Sequence, residues 1–253
     1  MFEKITDHIY IQPPEHYTDR PNVGFITGEK YTLMFESGNS HANAQQLMDR
    51  LFARKLGTPD FVVVSHWHWD HSFGMCYWND IEVPTIAGKK TNDQLLKVSQ
   101  WEWDDEVMEN RVKTGEDIVF CNEMIKREYP DRSEIRVEGA DIIFDGSMVI
   151  DLGGVECHLI HAKGPHSDDS VICWVPQDKF ILLGDSNGKD LYGKPWYFDI
   201  EHEEDFMEET AKIPYDRDLV DEYLELLDTL NFEKCIGGHA PVMTKEELYR
   251  SLK

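Results

Sequence analysis

The chain has 253 residues, of which 41% are hydrophobic and 11% aromatic, and its formal net charge is −24. This length and composition predict one large globular domain over residues 1–253 and exclude a disordered chain. No apolar run approaches the roughly 20 residues that cross a bilayer, and the N-terminus lacks the basic start and apolar stretch of a signal peptide, so we expect no membrane partner.

The charge and the cysteines narrow the function further. The 49 acidic residues outnumber the 25 basic ones, and such a surface repels the phosphates of nucleic acid. We therefore expect a small-molecule substrate and no nucleic-acid partner. The five cysteines are odd in number and scattered, without a Cys-x-x-Cys pair, which predicts buried free thiols and a cytoplasmic location.

The predicted elements begin with short strands and one amphipathic helix. Apolar positions from Ala44 to Phe52 recur at helical spacing. Two more helices are predicted over 203–212 and 219–230, and Thr244 with Glu247 predicts a capping box at the start of a terminal helix. The predicted strands cover 9–11, 23–27, 31–36, 61–65, 81–87, 142–144, 148–151, 155–160, 171–175, 180–183 and 234–236.

Between about residues 89 and 136 the pattern becomes helical, charged and aromatic, with a helix predicted over 116–129. This segment, the insertion, is too long for a simple connection. We predict that it forms a lid or pocket wall containing Trp101 and Trp103, and the alternative is cover for a sheet edge or a homodimer contact. Aromatic side chains beside acidic ones would suit a cationic head group.

Potential metal ligands are concentrated in residues 66–71, which read HWHWDH. Imidazole and carboxylate bind zinc at about 2.0–2.2 Å, and paired metals in hydrolytic sites lie about 3.5–4 Å apart. The preceding predicted strand ends at the loop, so His66 and His68 can share one side, while Asp70 and His71 lie beyond the bend and can face a second position. The loop can serve both halves of a binuclear site but cannot fill either.

Three later residues supply the missing ligands. His166, Asp185 and His239 each follow a predicted strand and lie close to a glycine. Glycine permits turns that aim a short side chain into a shared cleft. A lone histidine after a strand is usually structural, but three such residues behind the 66–71 loop predict a shared metal site.

These motifs resemble those of the metallo-β-lactamase superfamily, and the resemblance covers nearly the whole chain outside the insertion. It implies an α/β fold, a four-layer αββα sandwich of two mixed sheets. It also implies that one metal binds His66, His68 and His166, that a second binds Asp70, His71 and His239, and that Asp185 bridges both.

The resemblance implies an activity class, although not antibiotic hydrolysis, because the zinc β-lactamases commonly use a cysteine ligand and lack an aspartate equivalent to Asp185. The pattern is similar to thioesterase, lactonase, phosphodiesterase and nuclease branches. Two divalent ions, zinc with iron or manganese as alternatives, would hold a hydroxide nucleophile. Asp70 and Asp185 are the predicted catalytic carboxylates.

Other classes share parts of this pattern. A non-haem iron redox enzyme, sulfur dioxygenase-like or di-iron, is the main alternative, although the di-iron reductases typically place a glutamate where this chain has His68. A nuclease is disfavoured by the net charge, and an inactive scaffold by the complete ligand set.

The residues around the ligands have less specific patterns. We expect Trp67 and Trp69 to pack against the sheets. Trp101, Trp103, Tyr192, Trp196 and Tyr197 could line a pocket or form a separate core, and Lys163, Lys189 and Lys194 could bind an anionic group or remain solvated.

Overall fold

In the computed structural model, which describes residues 1–192 and 210–253, the strands form two mixed sheets. The first sheet has seven strands, which are adjacent in sequence order. Its first four strands pair antiparallel and the last four, from β4 onward, pair parallel. The strands are β1 (Glu3–Lys4), β2 (Ile9–Gln12), β3 (Val23–Thr27), β4 (Thr32–Phe35), β5 (Phe61–Val63), β6 (Thr85–Gly88) and β7 (Ile142–Phe144).

The second sheet has six strands in the order β13-β12-β11-β10-β9-β8. Its strands pair antiparallel except β11 with β12, which run parallel. They are β8 (Ser147–Asp151), β9 (Glu156–His161), β10 (Val171–Val175), β11 (Phe180–Leu182), β12 (Lys234–Ile236) and β13 (Met243–Thr244).

The helices lie outside the sheets and, along the sequence, connect or follow the strands. None of those in the described ranges is long and apolar enough to cross a membrane. They are α1 (His41–Ala53), α2 (Trp69–Ser72), α3 (Met75–Asp80), α4 (Lys89–Val98), α5 (Asp105–Thr114), α6 (Val119–Glu128), α7 (Arg217–Asp228) and α8 (Lys245–Ser251), with short 3₁₀ helices at His16–Thr18, Arg132–Glu134 and Pro176–Asp178.

The central core lies between the two sheets. Because side chains alternate across a strand, Leu33 and Phe35 of β4 point into this core while Met34 points to the opposite face. From the second sheet, residues such as Leu159 and Val171 meet them. Both faces of each sheet are therefore apolar, which is why the strands read as near-continuous hydrophobic runs.

Helices cover the outer face of each sheet. Leu47 of α1 and Trp78 of α3 pack on the first sheet, while Tyr223 of α7 and Leu248 of α8 pack on the second. Two sheets between two helical layers confirm the α/β sandwich that the motifs implied.

Several predicted boundaries differ from the observed ones. The strand predicted over 81–87 begins only at Thr85, because Ile81 ends α3 and Glu82 adopts a left-handed conformation with φ of 59°. The short helices α2 and α3 were not predicted. The helix predicted over 116–129 spans only Val119–Glu128. The helix predicted over 203–212 lies outside the described residues except for 210–212, which are helical.

The five cysteines are buried and free, as their number and spacing predicted. They belong to different parts of the fold. Cys157 and Cys173 lie in the core between the sheets, Cys235 lies under the outer helices of the second sheet, and Cys121 lies among the helices of the insertion.

The predicted capping box forms at the start of α8. The Thr244 hydroxyl accepts a hydrogen bond from the Glu247 backbone N–H, and the Glu247 carboxylate accepts one from the Thr244 N–H. We expect Thr244→Ala to lower the free energy of unfolding by about 1 kcal/mol, because a helix N-terminus loses its cap. Thr244→Ser keeps the hydroxyl and should cost much less, as measured by urea denaturation. Equal losses in the two variants would contradict this role.

Candidate metal centre

The predicted ligands meet because the strands that carry them point the same way. Strands β9 and β11 both pair antiparallel with β10, and β12 pairs parallel with β11. The C-terminal ends of β9, β11 and β12 therefore lie at one edge of the second sheet. His166, Asp185 and His239 follow these ends, and the 66–71 loop follows β5 of the first sheet.

The first group consists of three buried histidines: His66, His68 and His166. One ring nitrogen from each lies within 4.8 Å of the others, and His68 Nδ1 is 3.0 Å from His166 Nε2. The buried Nε2 of His66 has no hydrogen-bond partner. Three nitrogens that converge in this way can hold one metal ion.

The second group consists of Asp70, His71, Asp185 and His239. Asp70 Oδ2 is 2.8 Å from His71 Nε2 and 3.0 Å from His239 Nε2. Neither ring nitrogen of the buried His71 has hydrogen-bond geometry, although carboxylates approach both. Apart from the His239–Asp70 hydrogen bond, ring nitrogens that face carboxylates without a well-directed hydrogen bond, as at His71, are the arrangement expected around an ion.

Asp185 lies between the two groups. Its Oδ2 atom is 3.4 Å from His71 Nε2 and 3.7 Å from His239 Nε2 in the second group. The same oxygen is 3.8 Å from His166 Nε2 in the first group. All seven predicted ligands are thus brought together, with Asp185 next to both halves.

The bend in the ligand loop has a local cause. The backbone N–H of Trp67 donates a hydrogen bond to the buried Asp169 carboxylate at 2.9 Å. His68 then begins the single turn α2, and Ser72 Oγ donates back to the carbonyl oxygens of Trp67 and His68. This turn carries Asp70 away from the first group and toward the second.

Glycine allows the loops to approach closely at two positions. A Cβ atom on Gly238 would lie 2.1 Å from Asp185 Oδ1 and 2.8 Å from His71 Cε1. Gly184 has φ of 53°, and a Cβ there would lie 2.4 Å from Ser65 Oγ. A larger residue at either position would push apart the loops that carry the ligands.

The sequence did not predict the polar groups that lie behind the ligands. Glu36 Oε1 lies 3.1 Å from His71 Nδ1, and Asp19 Oδ1 lies 3.6 Å from His239 Nδ1. Ser65 Oγ lies 2.9 Å from His66 Nδ1. Partners of this kind fix the orientation of a ligating imidazole. The position of Glu36 at the end of an apolar strand was the available signal, since it matches the placement of the ligands themselves.

The histidines of the first group favour their neutral form. Burial lowers the pKa of His66 well below its ordinary value, and the neighbouring His71 and His68 lower it further. Burial and His166 likewise hold the pKa of His68 well below its ordinary value. Neutral imidazole is the form that binds a metal.

The residues of the second group favour their charged forms instead. Burial favours neutral His71 and His239, but nearby carboxylates outweigh it and raise the pKa of His71 well above its ordinary value and that of His239 to about 9. Burial likewise opposes ionisation of Asp70 and Asp185, but His71 and His239 outweigh it and hold the pKa of both carboxyls below their usual range. Positive charge is therefore favoured at this position.

The residues present fit divalent cations. Asp70, Asp185 and Glu36 are brought together at one end of the sandwich. Across residues 1–192 and 210–253, no lysine or arginine forms an ion pair with any of them. A buried carboxylate is costly unless it is compensated, and here the compensating groups are histidines of a cluster that could hold a metal ion.

The aromatic residues take different positions. Trp69 packs against the insertion helices rather than the sheets, because α2 turns it away from β5. Trp67 packs on His68 and Tyr192, with ring centroids 4.7 and 5.2 Å away. Tyr192 also contacts the His68 ring at 4.8 Å. Trp67 and Tyr192 thus adjoin the first ligand group.

Trp101 and Trp103 face a cation of their own chain. The Arg111 guanidinium lies 4.5 Å from the Trp101 ring and 4.8 Å from the Trp103 ring. Trp103 also packs on Phe73, which directly follows α2. This pair is therefore part of the core formed by the insertion and the ligand loop, and Arg111 lies where a cationic head group was expected.

The flanking lysines have protein partners where the structure describes them. Lys163 pairs with Glu222, and Lys189 Nζ donates to the carbonyl oxygens of Thr210 and Ala211. Lys194, Trp196 and Tyr197 lie outside the described residues.

Comparison with known proteins identifies the family. A family model described as the metallo-beta-lactamase superfamily matches residues 17–239. Among curated proteins no match was found. The fold is similar to a metallo-beta-lactamase from Pontibacter korlensis, with a TM-score of 0.65 and 16% identity over 100% of this chain and 96% of that one. The DIM-1 metallo-beta-lactamase has a TM-score of 0.62 and 16% identity over 100% and 94% of the two chains.

At such identities the structural similarity shows the fold alone. The family model, in contrast, covers most of the sequence, including both groups of His and Asp side chains that can hold metal ions. On this basis, the chain belongs to the metallo-β-lactamase superfamily.

Proposed function

We propose that this chain is a metal-dependent hydrolase with two divalent cations, zinc in the first instance, acting on a small ester, thioester, lactone or phosphodiester. The observation that carries the proposal is the position of Asp185, whose Oδ2 lies within 3.8 Å of ring nitrogens from both ligand groups. Superfamily membership, in a family made up mostly of hydrolases, supports it.

We assign the seven candidate ligands to the two ions as follows. His66, His68 and His166 would hold one ion, Asp70, His71 and His239 the other, and Asp185 would contact both. Bound there, divalent cations would supply Lewis acidity and lower the pKa of a bound water to about 7. We assign Asp70 a second role in moving a proton, while Trp67 and Tyr192 limit solvent access beside His68.

The donor set bears on both the metal and the substrate. The two groups found among the described residues contain nitrogen and oxygen donors and no thiolate, and such donors suit zinc, iron or manganese. The nearby Cys121 thiol instead accepts a hydrogen bond from the Tyr192 hydroxyl, at 3.2 Å. We propose that β-lactams are not the substrate, although the similar solved structures are metallo-beta-lactamases.

Two measurements test the proposed function. Metal analysis of protein purified without added metal should find about two ions per chain. A panel of thioesters, lactones, phosphodiesters, a cephalosporin, RNA and DNA should show turnover of a small substrate, since the acidic surface disfavours nucleic acid. Fewer than two ions per chain in a metal-replete preparation would contradict the two-ion site. Iron with oxygen-dependent turnover and no hydrolysis would contradict the proposal and favour the non-haem iron redox alternative.

Asp185→Asn should remove the charge that both ligand groups share. The amide keeps the shape of the side chain but loses the charge that lies between the groups. We expect kcat to fall by at least about 100-fold, the upper range for losing a partner of a metal ligand, with a smaller change in KM. Metal content should fall below two ions per chain.

Asp178→Asn is the matched control. The side chain of this aspartate is also largely buried, at 4% exposed against 18% for Asp185. It lies before β11, at the opposite end of the strand from Asp185, where it pairs with His8. It should retain both ions and full kcat. Two retained ions with unchanged kcat in Asp185→Asn would show that Asp185 does not join the two halves.

Zinc binding should release protons at neutral pH. Without a cation the pKa of His239 is raised to about 9 and that of His71 well above its ordinary value, so both rings carry a proton at pH 7 that an ion must displace. Affinity for the second ion should therefore rise between pH 7 and about 9, the range in which His239 loses its extra proton. Calorimetric titration in two buffers of different ionisation enthalpy measures this release, and its absence at pH 7 would contradict the charge balance described above.

A further inference from the structure

We propose that residues 19–22, in the connection between β2 and β3, form a clamp that positions His239 for the second metal ion. Asp19 and Asn22 are its positioning residues, and Arg20 anchors it to the insertion. The inference rests on the proposed function, in that His239 is taken to be a ligand. It assigns a role to a loop that contains no metal ligand.

Asn22 holds the backbone on both sides of His239. Its side-chain Nδ2 donates to the carbonyl oxygens of Gly237 and Ala240, each at 2.8 Å. Its backbone N–H donates to the carbonyl oxygen of Gly238. Three hydrogen bonds from one buried residue thus fix the turn that carries His239, across more than 200 residues of sequence.

Asp19 faces the ring of His239. The residue adopts a left-handed conformation with φ of 54°, which Asp and Asn tolerate better than other residues that have a Cβ atom. Its Oδ1 atom lies 3.6 Å from His239 Nδ1, an ion-contact distance. A carboxylate beside Nδ1 favours the N–H at that atom and leaves the Nε2 lone pair free, and Nε2 is the nitrogen that faces Asp70.

His239 needs such support more than the other ligands do. Its side chain is 26% exposed, whereas His71 is fully buried. Packing therefore fixes the ring of His71, but the partly exposed ring of His239 depends more on polar contacts for its orientation. A ligand that is not locked by packing has to be held by its hydrogen-bonding neighbours.

The insertion holds the clamp in place through a partly buried ion pair. The Nε and Nη2 atoms of Arg20 both donate to the carboxylate of Glu128, which lies at the end of α6. The Glu128 side chain is only 2% exposed. The Ser40 hydroxyl donates to the same carboxylate, at 2.5 Å. Bidentate pairs between arginine and a carboxylate are strongly directional, so we infer that the position of Asp19 depends on α6.

Among the contacts of the described residues, those of the clamp reach the second ligand group and not the first. The histidines of the first group have other partners, since His66 Nδ1 contacts Ser65 Oγ and His166 Nδ1 contacts the Lys189 carbonyl oxygen. Loosening residues 19–22 should therefore weaken the second ion and leave the first unchanged. A general loss of stability would weaken both.

The test is stepwise removal of zinc from the zinc-loaded full chain by a chromophoric chelator. Asp19→Asn keeps the shape and tolerates the left-handed conformation, while Asn22→Ala removes the two side-chain bonds and Glu128→Gln removes the charge that holds Arg20. In each variant the affinity for one zinc, the one that His239→Ala loses, should fall about 10–100-fold, and the affinity for the other zinc should not change.

Two further variants complete the design. Glu15→Gln is the matched control, because Glu15 pairs with Arg20 at 2.9 Å but is exposed, and it should bind both ions as the unmodified chain does. His239→Ala should lose one ion. If this variant keeps two ions, His239 is not a metal ligand and the proposed function is wrong in that assignment.

If His239→Ala loses one ion while Asp19→Asn and Asn22→Ala bind both ions with unchanged affinity, the clamp alone is wrong. It is also wrong if both affinities fall equally in variants whose thermal unfolding midpoint is unchanged.

Discussion

The structure depends on the compensation of buried negative charge at one end of the sandwich. Asp70 and Asp185 meet there with Glu36 behind them, and within the described chain their charged neighbours are histidines rather than lysines or arginines. Burying carboxylates in this way is unfavourable unless positive charge is supplied. Protons on His71 and His239 can supply it, and so can two divalent cations, which would leave the same imidazoles neutral.

This concentration of ligands follows from strand direction. Since β9, β11 and β12 run the same way, the residues after them share an edge, and the core between the sheets holds the 66–71 loop against that edge. Close approach then requires glycine, because a side chain at Gly238 would occupy the space of Asp185. The polar site therefore depends on the hydrophobic core, because packing of the two sheets sets the distance between the 66–71 loop and the other ligands.

The insertion contacts the site from two directions. Trp103 packs on Phe73 next to α2, and Glu128 binds Arg20 beside Asp19. The first contact lies behind Asp70 and His71, and the second lies behind His239. The insertion thus supports the loops around the second ligand group, while its own tryptophans enclose Arg111.

Local sequence determined the ligand loop, the free cysteines, the capping box and most strands, because each depends on neighbours a few residues apart. The resemblance carried by these motifs also supplied the two-sheet fold. Only the tertiary structure showed α2 and α3, Glu36 behind His71, and Asn22 bound to the turn of His239. Contacts such as Asn22 to Gly237 join residues 215 positions apart, and no local pattern encodes them. Their partners are set by how the two sheets pack, which is a property of the whole chain.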